Sequence, residues 1–148
     1  MPLHRNEHTI EIAAPPERVF PHVVVSARRL EWMGALEESK PLTEGPVGVG
    51  SRYRDVFVDH GQRVELEAEV VRYEPPHCLE VALRGDGIAA TSSQILEDAG
   101  GGTRLTAVIE TEYTKRLLRM MAGVVTRHAQ ARLESDLAKL KRIVEAEG

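Results

Sequence analysis

A chain of 148 residues with 42% hydrophobic and 28% charged side chains has the make-up of one soluble globular domain, expected to span residues 1–148. Its 23 acidic against 19 basic groups give a net charge of −4, without the clustered positive field that a nucleic-acid backbone demands. Cys78 is the single cysteine, so an internal disulfide and a CxxC pair are excluded; with no apolar signal core and no membrane-length apolar run, a cytoplasmic setting without stable membrane insertion is expected.

In chain order, residues 8–13 alternate towards Ile10 and Ile12 and read as a strand. Pro15 and Pro16 follow, and proline suits a first helical turn because its missing N–H would lack a partner there anyway. Val19, Phe20, Val23, Val24, Leu30 and Trp32 cluster over residues 16–33, with Pro21 and Ser26 predicting a break into two short helices. Residues 34–50 carry four glycines and two prolines and predict a loop. Alternation then takes over: residues 51–59, a His60-Gly61 turn and residues 62–73 predict a hairpin, continued as a meander by residues 78–84, 88–96 and 103–113. After Tyr113 the spacing of Leu118, Met121, Val125, Ala129, Leu133, Leu137, Leu140 and Val144 predicts one long amphipathic helix. This order argues for an α+β fold whose antiparallel sheet covers its apolar face with that helix.

Parity follows from the turns. A two-residue His60-Gly61 loop pairs Phe57 with Val64, Asp55 with Leu66 and Tyr53 with Ala68 on one face, and Arg54 with Glu67 and Arg52 with Glu69 on the other. A tight turn within residues 85–87 and a four-residue loop at 99–102 extend the first face. It then holds Val64, Leu66, Val81, Leu83, Leu105 and Ile109, with Glu65, Glu67 and Glu69 outside. The same inner face includes Tyr53, Asp55, Ser92 and Gln94, more polar atoms than a dry core accommodates, which suits the lining of a pocket.

Several segments together resemble a known family. The run from Ile10 to Phe20, IEIAAPPERVF, is similar to the opening strand and helix of the START-like (SRPBCC, helix-grip) superfamily, in its polyketide cyclase/dehydrase and lipid-transport branch; Trp32 falls where the second short helix of that family carries a tryptophan. Val47-Gly-Val-Gly50 with Tyr53, residues 70–76 (VVRYEPP) and residues 101–106 (GGTRLT) resemble its later strand entries and last hairpin. The resemblance implies a helix-grip fold with seven strands, one more than the six read above. It also implies a small hydrophobic or amphipathic ligand, lipid- or polyketide-like, held between sheet and long helix without a cofactor.

Within that frame the candidate ligand-binding residues are Trp32, Tyr53, Phe57, Leu66, Val81, Leu83, Ser92, Gln94, Met120, Met121 and Val124. Asp55 and His128 are the candidate catalytic residues. An inward carboxylate between Tyr53 and Phe57 could serve as a general base, or be neutralised by an arginine. His128, beside the apolar stripe of the long helix, could move protons or be an ordinary half-exposed histidine. No Walker loop, HExxH or GxSxG occurs, and the six histidines lack the spacing of a metal cluster, so no metal site is expected. Ligand binding is the leading expectation; a polyketide cyclase or aromatase-type enzyme and a regulatory module forming a homodimer are the alternatives.

Overall fold

The computed structural model describes residues 3–147, and its elements run β1 (His4–Ile12), α1 (Pro16–Val24), α2 (Ser26–Trp32), β2 (Leu36–Pro41), β3 (Arg52–Asp59), β4 (Gln62–Glu74), β5 (Cys78–Gly85), β6 (Ile88–Ala99), β7 (Gly102–Tyr113), α3 (Arg116–Met120) and α4 (Ala122–Ala146). The strands form one antiparallel sheet in the order β1-β7-β6-β5-β4-β3-β2. Three of its hairpins turn on His60-Gly61, Asp86-Gly87 and Gly100-Gly101, in which both central residues have positive φ, from 48° at Asp86 to 90° at Gly101. That backbone twists with the strands, and the pairs Phe57 with Val64, Asp55 with Leu66 and Tyr53 with Ala68 follow from it. The last of these loops has two residues where four were expected, a difference that leaves the parity unchanged.

The seventh strand is β2, inside the segment that reads as a loop. Only Leu36 of its six residues is buried, so it carries no alternating apolar signal. It is an edge strand marked by a bulge between Leu36 and Glu38 and by Pro41 at its end, devices that keep an edge from pairing further. A second bulge between Val70 and Arg72 bends β4 and brings both Val70 and Tyr73 to the inner side, where Tyr73 meets Phe20 at 5.8 Å between ring centroids.

The helices also break differently from expectation. Pro21 lies inside α1, and the interruption comes at Val25, whose extended backbone caps both short helices. The single long helix is two, separated at Met121, where ψ is near zero and the poor helix former Gly123 follows. None of the helices among the described residues is long and apolar enough to cross a membrane.

Six gaps of about 4.8 Å make a flat seven-stranded sheet roughly 29 Å wide, more than twice the diameter of one helix. Yet α4 touches both the edge strand β1 and, near the opposite edge, β3. Along β1, Asn6 Nδ2 donates to the Thr126 carbonyl and Lys141 Nζ to that of Glu11; on the other flank, Arg132 pairs with Asp59 of β3 at 2.8 Å. The sheet is therefore strongly curved around α4, whose buried row Leu133, Leu137, Leu140 and Val144 joins Ile12, Val19, Phe20, Leu96 and Leu105 in the core.

Candidate functional site

The concave face is only half filled. Several of its side chains, among them Tyr53, Phe57, Val81, Leu83, Ser92 and Gln94, are half-buried, whereas Leu105 and Leu96 beneath α4 are fully buried. The difference is a cavity of about 140 Å³ between the inner faces of β3 to β7 and the helices α1 and α2. Val23 and Val24 of α1, and Arg29, Trp32 and Met33 at α2, close it from one side, and Val47 of the long loop joins them. No side chain of α4 lines it, so the space lies between sheet and short helices and not, as expected, against the C-terminal helix. The reason is packing: the apolar row of α4 is already consumed in the core.

Of the expected ligand-binding residues, Trp32, Tyr53, Phe57, Val81, Leu83, Ser92 and Gln94 come together around this space, as does Asp55. The others do not. Leu66 is buried on the inner face but outside the lining, and Met120, Met121 and Val124 are exposed at 77%, 48% and 45%. Val124 lies within α4 about two and a half turns before Leu133, and so on the side opposite the buried row, while Met120 ends α3 and Met121 stands at the junction of the two helices. His128 is likewise exposed, with its ring 5.0 Å from that of His60 at the β3–β4 turn and away from the cavity.

Asp55 is fully buried. Its Oδ2 accepts a hydrogen bond from Arg29 Nη2 at 2.8 Å, while Oδ1 has no partner among the described residues. Arg29 is held in turn, since its Nη1 donates to Ser39 Oγ at 3.2 Å and that hydroxyl donates to Ser26 Oγ at 3.0 Å. The arginine partner expected in one of the two readings of Asp55 is thus present. Gln94 Oε1 is a second buried oxygen without a partner in the same lining. Burial pushes the Tyr53 phenol above its usual range, partly offset by Arg29, so it remains a neutral hydroxyl.

Two further residues were not singled out in the sequence. Arg29 precedes Trp32 by one helical turn, and an arginine at i−3 of an inward tryptophan is the signal that could have found it. His22, 1% exposed on α1, offers its carbonyl to the Trp32 indole N–H at 2.8 Å and so fixes the ring against the cavity, while its Nε2 lies 3.0 Å from Glu147. Across the fold, Asp136 of α4 accepts the Gly34 N–H at 3.0 Å and thereby ties α4 to the loop leading into β2.

Burial raises the Asp136 carboxyl above the usual aspartate value, against the opposing pull of the Gly34 N–H and Arg132. Its folded state thus binds the proton more tightly than its unfolded state, and its contribution to stability declines as pH rises above about 3.9. Asp136→Asn, which keeps an acceptor for Gly34 and has no charge to bury, should gain stability relative to the parent over that window. Urea midpoints measured from acid to neutral pH would show a parent-minus-variant difference that falls with pH; a flat or rising difference is the contrary result.

A family model described as "Polyketide cyclase / dehydrase and lipid transport" matches residues 4–145. Among curated proteins none matches the chain. Solved structures do: the Thermus thermophilus protein TTHA0849 superposes with a TM-score of 0.80 at 22% identity, covering 99% of each chain. Ara h 8.0201 gives 0.69 at 17%, covering 98% of this chain and 99% of its own. A Thalictrum norcoclaurine synthase point mutant, in complex with a transition-state analogue, gives 0.72 at 14%, covering 99% and 96%. These likenesses establish the helix-grip fold.

Proposed function

From the premise that the chain belongs to the polyketide cyclase / dehydrase and lipid transport family, we propose that it is a binding protein for a small amphipathic molecule enclosed between sheet and short helices. The observation that carries this reading is the cavity itself, a space of about 140 Å³ with a largely aliphatic and aromatic wall and a few polar atoms set into it. A void of that size matches the roughly 150 Å³ engineered cavity that takes up benzene, and is well below the 300–1,000 Å³ of a drug-sized site. The occupant is accordingly about one ring in size, smaller than a whole lipid or an extended polyketide. The norcoclaurine synthase point mutant of this fold is in complex with a transition-state analogue, which supports ligand binding by a chain folded in this way.

The enzyme alternative is the weaker one. Of its two candidate residues, His128 stands on the outer surface away from the cavity, which leaves Asp55, ion-paired with Arg29 through one oxygen, without a second proton-transfer group beside it. The test uses toluene as a single-ring probe in ligand-observed NMR. The parent should bind it, and Val81→Phe, which places a ring in the cavity from its half-buried wall position, should weaken binding at least tenfold while the protein stays folded. Toluene binding that is absent from the parent, or unchanged by Val81→Phe, would remove the cavity from consideration.

A further inference from the structure

The polar atoms of the wall narrow the ligand class. Resting on the cavity reading above, we infer that the occupant is an uncharged molecule of about one ring that carries a hydroxyl, and that this hydroxyl donates a hydrogen bond to Asp55 Oδ1.

Three observations converge on that class. Arg29 and Asp55 are the charged residues of the lining, and they are paired at 2.8 Å, so the wall as a whole is neutral. An ionic ligand entering it would shed its hydration shell without meeting a counter-charge, and that desolvation disfavours binding. Uncharged molecules face no such penalty. Next, Asp55 Oδ1 is buried and unpartnered although Oδ2 of the same carboxylate is satisfied. A buried acceptor of this kind normally has a partner, and a paired carboxylate has no proton to offer, so the missing partner is a donor. Finally, Arg29 does not supply the second bond: it meets Asp55 through Nη2 and Oδ2 alone, and its Nη1 is turned to Ser39, whose hydroxyl donates onward to Ser26. Arg29 is thus a positioning residue that holds the carboxylate with one oxygen free.

Gln94 adds a second polar contact but does not choose the class, because an amide can turn to present either its oxygen or its nitrogen. Ser92 and the neutral Tyr53 hydroxyl are equally tolerant. Asp55 alone discriminates.

Phenol and toluene are close in shape and differ in that one carries a hydroxyl and the other a methyl, so the ratio of their affinities isolates the hydrogen bond. A bond to a charged acceptor in a dry site should make that ratio roughly 10- to 100-fold more favourable to phenol in the parent than in the double variant Arg29→Met/Asp55→Leu, which has neither charge. Asp55→Asn, with a neutral and weaker acceptor, should fall between the two and serves if the double variant does not fold. Benzylammonium and benzoate, as charged probes, should each bind more weakly than phenol. Toluene binding with an unaltered phenol-to-toluene ratio across the variants would overturn the donor assignment while leaving the cavity reading intact. A charged probe that binds most tightly would overturn the neutrality argument, and failure of phenol and toluene alike would sink both readings.

Discussion

Arg29→Met is expected to destabilise the protein by about 3–5 kcal/mol, the range seen when one member of a buried ion pair is removed and the other charge stays behind. Asp55 is fully buried and its partner's side chain only 15% exposed, so the carboxylate left behind would lack its counter-charge away from bulk water. The sign of the companion experiment is opposite. Arg29→Met/Asp55→Leu should recover most of that loss, because well-packed apolar residues can substitute for a buried pair at little or no cost. Urea unfolding of the parent, the single variant and the double variant separates these outcomes. A single variant within about 1 kcal/mol of the parent would place the pair in the weak class of solvated ion pairs. Such a result would also weaken the claim that the pair is kept for its free oxygen.

Ending the chain after Tyr113 should abolish the fold altogether. The four buried side chains Leu133, Leu137, Leu140 and Val144 are each worth roughly 1.5–3 kcal/mol of burial, a sum comparable to the 5–15 kcal/mol that stabilises a typical domain. Their partners Ile12, Leu96 and Leu105 would be left facing water on a concave surface with nothing else long enough to cover it. The truncated chain should be insoluble or fail to show a cooperative transition by circular dichroism. Leu137→Ala gives the graded version, a loss of about 2–5 kcal/mol with the fold retained. Soluble, cooperatively folding residues 1–113 would mean that the sheet is stabilised by something other than α4.

The sheet was largely legible because two-residue turns carry their own register: His60-Gly61 sets every pair of β3 with β4, and one correct pair sets the face of all the others. Strand β2 was illegible for the opposite reason, since a solvated edge with a single buried leucine has no alternation to read. Helix phase misled at the other end. The stripe predicted through Met121 runs past the junction of α3 and α4, and Val124 falls half a turn away from the buried row Leu133, Leu137, Leu140 and Val144, so Met120, Met121 and Val124 all stay at the surface. Half of the site was visible in the same way: inward parity delivered Tyr53, Asp55, Ser92 and Gln94, while Arg29 was missed because its contact with Asp55 joins residues 26 positions apart on a helix and a strand.

Strand order has one more consequence, which concerns the making of the protein. The meander from β2 to β7 pairs neighbours in sequence, but β1 pairs with β7, His4 opposite Thr111 and Ile12 opposite Thr103. At the usual pace of translation, about 5–20 residues per second, β1 waits on the order of 5–20 seconds for its partner to be made. Until then its inward Ile10 and Ile12 and the strand's hydrogen-bonding edge are open to other chains, and α4, which fastens β1 through Asn6, Glu11 and Ala13, comes later still. The most polar stretch of β1, HRNEHT, suits a strand that must remain dissolved while it waits.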